Sequence, residues 1–138
     1  MLAQVNGEFG VVTDPEMKFS DKGTAWLKLR GKNAARVRDS NGKWSDGKPC
    51  FIDIVVIGKQ AEHLFDSIGK GDTIIVSGKL ELNEWTDADG NKKSNHRITA
   101  DSVGVSVQWG YAKTQRASEG NSLTQIQESL GATDVTPF

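Results

Sequence analysis

Four tryptophans, Trp26, Trp44, Trp85 and Trp109, stand among polar and charged residues rather than among aliphatic ones. A core Trp is flanked by apolar residues of its own strand parity. Trp26 instead shares parity with Lys28 and Arg30, and Trp85 with Lys79, Glu81 and Asn83; Trp44 lies in a Gly/Asp/Ser stretch. Exposed rings interleaved with cations suit one chemistry. A ring stacks on a nucleobase, worth ~1–3 kcal/mol per base, while Lys and Arg follow the phosphates. Every base has a π-face, so such a surface needs no sequence code. A duplex reader needs a helix or ribbon for the groove, and the single helix expected here carries Glu62 and Asp66 with little positive charge. Packing into a core or an interface is the competing role, weightiest for Trp26 and Trp109.

Charge points the same way. The net charge of −1 hides a basic block: Lys28, Arg30, Lys32, Arg36, Arg38, Lys43 and Lys48 face only Asp39 and Asp46, a local +5. A basic block in a neutral chain suits a polyanion, although a hairpin kept soluble by lysines has the same composition. Lys59, Lys92 and Lys93 extend the set of candidate phosphate contacts. Catalysis fares poorly. His63 and His96 fall in different elements, Cys50 has no neighbouring His, and CxxC, HExxH, P-loop and GxSxG patterns do not occur. The expectation is a binding protein, not an enzyme, with no cofactor and no metal. Stacking of Trp on sugars from a β-sandwich, or service as an interaction adaptor, are alternatives; the sugar reading leaves the +5 block without a purpose.

These residues need strands to hold them. At 138 residues, 36% hydrophobic, with 15 Gly and 3 Pro, the chain suits one β-rich domain with many turns and a tail. The lone Cys50 cannot form an internal disulfide. No apolar run approaches the ~20 residues that span a bilayer. "MLAQVNGEFG" lacks the basic n-region of a signal peptide. A cytoplasmic location is expected.

"QVNGEFGVV" reads as a strand and "TDPE" as a turn. "TAWLKLRGK" alternates, with Ala25, Leu27 and Leu29 on one face and Trp26, Lys28 and Arg30 on the other. "AARVR" continues it as a strand or bulged extension, and "DSNGKWSDGKP", with Asn41-Gly42 and Asp46-Gly47, reads as a long exposed hairpin loop. In "CFIDIVVIG", Ile52, Ile54 and Val56 share one face and Phe51, Asp53, Val55 and Ile57 the other. "KQAEHLFDSI" predicts a helix with Ala61, Leu64, Phe65 and Ile68 inward and Gly69 as a left-handed C-terminal stop. "DTIIVSGKLELNEW" is a strand with a bulge or bend at Gly78, "TDADGNKK" a turn, and "HRITADSVGVSV" the last strand. Three strand regions, one helix and two strands predict a mostly all-β chain: a five-stranded OB-fold barrel with its helix between strands three and four. Residues 1–107 form this domain. Residues 108–138, rich in Gly, Ser, Thr and Gln, are expected to be a flexible tail.

In order and spacing, "TDPEMKF", "KGTA", "NGKWSDG", "IGKQAEHL", "GKGDTIIVSGKL" and "EWTDADGNKK" resemble the single-stranded DNA-binding proteins of bacteria and their phages, "NGKWSDG" especially the actinobacterial branch. The resemblance covers residues 4–107 and the final residues. It implies an OB-fold that assembles, usually into homotetramers, with single-stranded DNA wrapped outside during replication, recombination and repair. Of the family's four stacking positions, two fall on Phe51 and Trp85, and two on Val37 and Ile57, which are not aromatic. Asp53 and Glu84 fall where relatives often carry cations. These departures bear on affinity and wrapping, not on class. The family's tail ends in acids and a Pro-Phe tip that docks onto replication and repair proteins. Pro137 and Phe138 match, but Asp134 is the only carboxylate side chain in the last nine residues. The resemblance with so few acids implies weak docking, because little charge steers the tip to a basic pocket.

Overall fold

The computed structural model describes residues 1–117. Six strands and one helix follow in order: β1 (Gln4–Val11), β2 (Glu16–Phe19), β3 (Ala25–Arg38), β4 (Trp44–Ile57), α1 (Lys59–Ser67), β5 (Thr73–Thr86) and β6 (Lys92–Val105). Neighbours run β1-β5-β6-β4-β3-β2, and β1 also pairs with β3 at Gly10↔Lys32 and Val11↔Gly31. The five long strands therefore close a circuit, β1-β5-β6-β4-β3 and back to β1, which is the barrel expected. β4 and β6 run parallel and the other pairs antiparallel. The short β2 lies outside the circuit, on β3.

Alternation explains which residues fill the barrel. Leu27, Leu29, Ile54, Val56, Ile74, Val76 and Ile98 point inward with Phe9 and Val11. The helix lays Ala61, Leu64 and Ile68 against this core. Phe65, expected to join them, is instead exposed, since the nine-residue helix buries only a narrow stripe. The stop is also displaced. Ile68 is extended at the C-cap, Gly69 N–H donates to the Asp72 carboxylate at 2.8 Å, and the positive φ is at Gly71 (98°).

Gly78 behaves as expected. The β5–β6 register shifts between Ser77 and Gly78, and a Cβ there would overlap the Thr99 carbonyl and sit 2.9 Å from Ala100 Cα. The β3–β4 register shifts between Ala34 and Arg36, the bulge foreseen in "AARVR". The connection after it is shorter than expected. Only residues 39–43 turn, with Gly42 at φ 82°, while Asp46 and Gly47 are strand residues of β4. Thus β3–β4 and β5–β6 are two long hairpins. The second turns at Gly90, where the Asp87 carboxylate accepts from the Asp89 and Asn91 N–H groups, the side chain bonding its own turn.

Candidate nucleic-acid interface

The outer face of β3, β4, β6 and β5 carries most of the residues singled out. Inward residues on β3 leave Trp26, Lys28, Arg30 and Lys32 outside, and register sets them opposite Ile57, Val55, Asp53 and Phe51 of β4. The rung through Asp53 reads Arg30, Asp53, Arg97, Glu81 across four strands, with signs alternating. Trp85 lies opposite Lys93 on the β5–β6 hairpin.

The middle of this face is paired. Asp53, only 8% exposed, accepts from Arg30 Nη1 at 3.0 Å through Oδ1 and from Asn95 Nδ2 at 2.8 Å through Oδ2. Lys28 Nζ stands 3.9 Å from the same Oδ2. Arg97 Nε lies 3.7 Å from Glu81, and its Nη1 donates to Asn83 at 3.5 Å. Arg30 also sits over the Phe51 ring, 5.7 Å from its centroid. Lys28, Asp53, Asn83, Trp85 and Asn95 line a groove of about 390 Å³.

The hairpins differ. Trp85 is half-exposed and also lines a second groove, about 240 Å³, with Glu84, Thr86, Lys92, Lys93 and Ser94. At the end of the β3–β4 hairpin, Arg38 lies 5.8 Å from the Trp44 ring and Trp44 is exposed. Val37 is exposed near Gly47. Arg36 pairs with Asp46 at 2.8 Å, and this bond holds the Asp46 carboxyl below its usual 3.8. Among the described residues, Lys32, Arg38, Lys43, Lys48, Lys92 and Lys93 make no ion pair.

Not every expected residue joins this surface equally. Trp26 is half-buried at one end of the face, against Ile57 of β4 and Lys18 of β2. Ile57 is exposed but aliphatic. Lys59 opens α1 and faces Glu62 at 3.3 Å, off the strand face. Trp109 is exposed beyond β6 and donates to Glu8 at 3.3 Å. Asp134, Pro137 and Phe138 lie outside the described residues. Sequence reasoning missed Asn95, Asn83 and Arg97, and missed that Asp53 gathers the central cations. The available signal was a lone acid inside an apolar strand, which must find partners when buried.

Among the described residues, no group of three or more His, Cys, Asp or Glu could hold a metal ion, and no helix is long and apolar enough to cross a membrane.

Comparison with known proteins gives a consistent picture. The single-strand binding protein family matches residues 9–106. A single-stranded DNA-binding protein of Corynebacterium glutamicum is 32% identical over 114 residues, 81% of this chain and 50% of that protein. One from Wolinella succinogenes is 31% identical over 120 residues, 87% of this chain and 74% of that protein. The chain thus spans only about half the length of some relatives it matches. The crystal structure of the small single-stranded DNA-binding protein from Streptomyces coelicolor superposes with a TM-score of 0.70 at 22% identity, over 79% of this chain and 98% of that one, a likeness of fold. A deletion mutant of the Thermus aquaticus single-stranded DNA binding protein gives 0.60 at 31% identity, over 80% of this chain and 53% of that one.

Proposed function

The chain belongs to the single-strand binding protein family, and from that premise we propose that it binds single-stranded DNA without regard to sequence and protects it during replication, recombination and repair. The observation that carries this reading is the outer strand face, where Phe51, Trp85 and Trp44 stand exposed beside Lys32, Arg38, Lys92 and Lys93. Bases stack on the rings and phosphates meet the cations. The two long hairpins extend this surface beyond the barrel, so a strand can lie across the face and along both arms. Lys28, Arg30 and Arg36 contribute where their carboxylate partners yield them, and Trp26 with Ile57 offers an apolar end. Lys59 is a marginal contact.

Titration of labelled oligo-dT, with an equal-length duplex as competitor, tests the reading. The single strand is expected to bind tightly and to be displaced poorly by the duplex. Equal affinity for both would refute it.

Assembly and partners are further parts of this proposal. Among the described residues, β1 pairs with β5 alone from Gln4 to Phe9, and its other edge is met only at the Glu8 carbonyl, by Asn33 Nδ2 at 2.9 Å. An open edge is a template for pairing with another chain, in keeping with a homotetramer. Mass measurement, alone and with oligonucleotides of increasing length, reads stoichiometry and site size together. Asp134, Pro137 and Phe138 are proposed as a weak docking tip for replication and repair proteins. Removal of Pro137 and Phe138 is expected to abolish partner pull-down. A role on DNA of this kind implies a location at the nucleoid in the cytoplasm, or in the host cytoplasm for a phage-encoded chain.

A further inference from the structure

We propose that Asp53 is a built-in counter-anion that holds the central cations of the binding face against the phosphates of the DNA. The inference rests on the single-strand-binding reading above and concerns the same surface.

Lys28, Arg30 and Asn95 converge on one carboxylate from two other strands: Arg30 Nη1 at 3.0 Å on Oδ1, Asn95 Nδ2 at 2.8 Å and Lys28 Nζ at 3.9 Å on Oδ2. Two cations and an amide donor around one set of oxygens is the arrangement a phosphate would receive. Here the oxygens belong to the protein. Burial decides how firmly they hold. The Asp53 side chain is 11% exposed, while those of Lys28 and Arg30 are 44% exposed. The carboxylate cannot exchange its partners for water without cost, because a buried charge left unpaired is strongly destabilising. The cations can swing outward, but only by leaving it. The neighbouring Arg97 faces Glu81, so the whole rung is internally neutral. The clasp also parks Arg30 over Phe51, on the ring that a base would use.

A cation already neutralised by the protein releases no counterion from the DNA when it binds. Arg30, the closer of the two, therefore counts for little in the salt dependence, although it lies at the centre of the surface. Each phosphate neutralised on a single strand contributes about 0.7 to the slope of log Kobs against log salt.

The test is oligo-dT titration from low to moderate salt with the full chain, Asp53→Asn, Arg30→Gln and Lys93→Gln. Asn at 53 keeps the size of the side chain and can still bond Asn95. Asp53→Asn is expected to tighten binding at low salt and to steepen the slope by about 0.7, the one unit of charge that the carboxylate offsets. Arg30→Gln in the native background is expected to change the slope far less than Lys93→Gln, whose cation makes no ion pair among the described residues. That comparison stands even where Asp53→Asn fails to fold. An Arg30→Gln loss equal to that of Lys93→Gln overturns the proposal, as does an Asp53→Asn protein that is folded yet binds with unchanged slope or more weakly. These results leave the binding function standing. A native chain that does not bind oligo-dT sinks the function, and the inference with it.

Discussion

The middle of the binding face and its two arms contain the same residue types in opposite states. In the middle, Lys28 and Arg30 share Asp53, Arg97 faces Glu81, and polar side chains interlock across four strands. On the arms, Lys43 and Lys48 on either side of Trp44 in β4 and its turn, and Lys92 and Lys93 near Trp85, make no ion pair among the described residues. A count of positive charge treats these regions alike. Their pairing says that the arms supply most of the electrostatic attraction. On the proposed reading the middle supplies stacking on Phe51, beside cations that Asp53 and Glu81 already largely offset. This arrangement would let a chain with a net charge of only −1 gather a polyanion, as the proposed function requires.

The largest effect expected comes from removing stacking where middle and arm meet. Phe51→Ala with Trp85→Ala deletes one platform from each region. At ~1–3 kcal/mol per stacked base, the pair should weaken oligo-dT binding by roughly 30-fold or more. The slope with salt should stay close to that of the native chain, because no cation is lost. Quenching of intrinsic tryptophan fluorescence, supported by anisotropy of labelled DNA, separates affinity from slope. A loss under threefold would mean that bases stack elsewhere, on Trp44 or Trp26, and would move the functional centre outward.

The next effect divides the regions by charge. Lys92→Gln with Lys93→Gln should lower the salt slope by about 1.4, since two cations disappear that meet no carboxylate among the described residues. Lys28→Gln with Arg30→Gln should lower it by about half as much, since Asp53 already offsets one of the two cations. Equal losses would erase the distinction between middle and arms.

What could be read without the structure follows the same division. Strand parity alone placed Ala25, Leu27 and Leu29 inside and Trp26, Lys28 and Arg30 outside, because alternation is a local property of an extended chain. Helix periodicity placed Ala61, Leu64 and Ile68 correctly, but not Phe65, since one narrow stripe suffices when only a barrel end must be covered. The four-residue β2 gave no alternation long enough to notice. Asp46-Gly47 looked like a turn, because a two-residue signal carries no information about the cross-strand partners that keep it extended. Closure of the barrel through β1–β3 and the parallel β4–β6 contact depends on pairs far apart in the chain. So does the clasp on Asp53, whose amide partner Asn95 is 42 residues away. Local chemistry was legible, whereas the neutralisation of one charge by another was not.

The smallest effect expected is the most discriminating. Arg36 and Asp46 on the β3–β4 arm form a closer ion pair, 2.8 Å, than any made by Asp53, yet their side chains are 57% and 55% exposed. The bond to Arg36 keeps the Asp46 carboxyl below 3.8. A depressed value means that the pair contributes above the ordinary carboxylate range and is lost as pH falls through the lowered value, so it is intact at neutral pH. Even so, water screens it, and exposed pairs of this kind contribute little. A DNA phosphate can then take Arg36 from Asp46 almost freely, because the carboxylate left behind is solvated at once. Asp46→Asn should therefore leave both the melting temperature and the salt slope nearly unchanged, whereas Asp53→Asn steepens the slope. Differential scanning fluorimetry and the same oligo-dT titrations read both quantities. If Asp46→Asn steepens the slope as much as Asp53→Asn, burial is not what lets a carboxylate compete with DNA, and distance alone sets the contest.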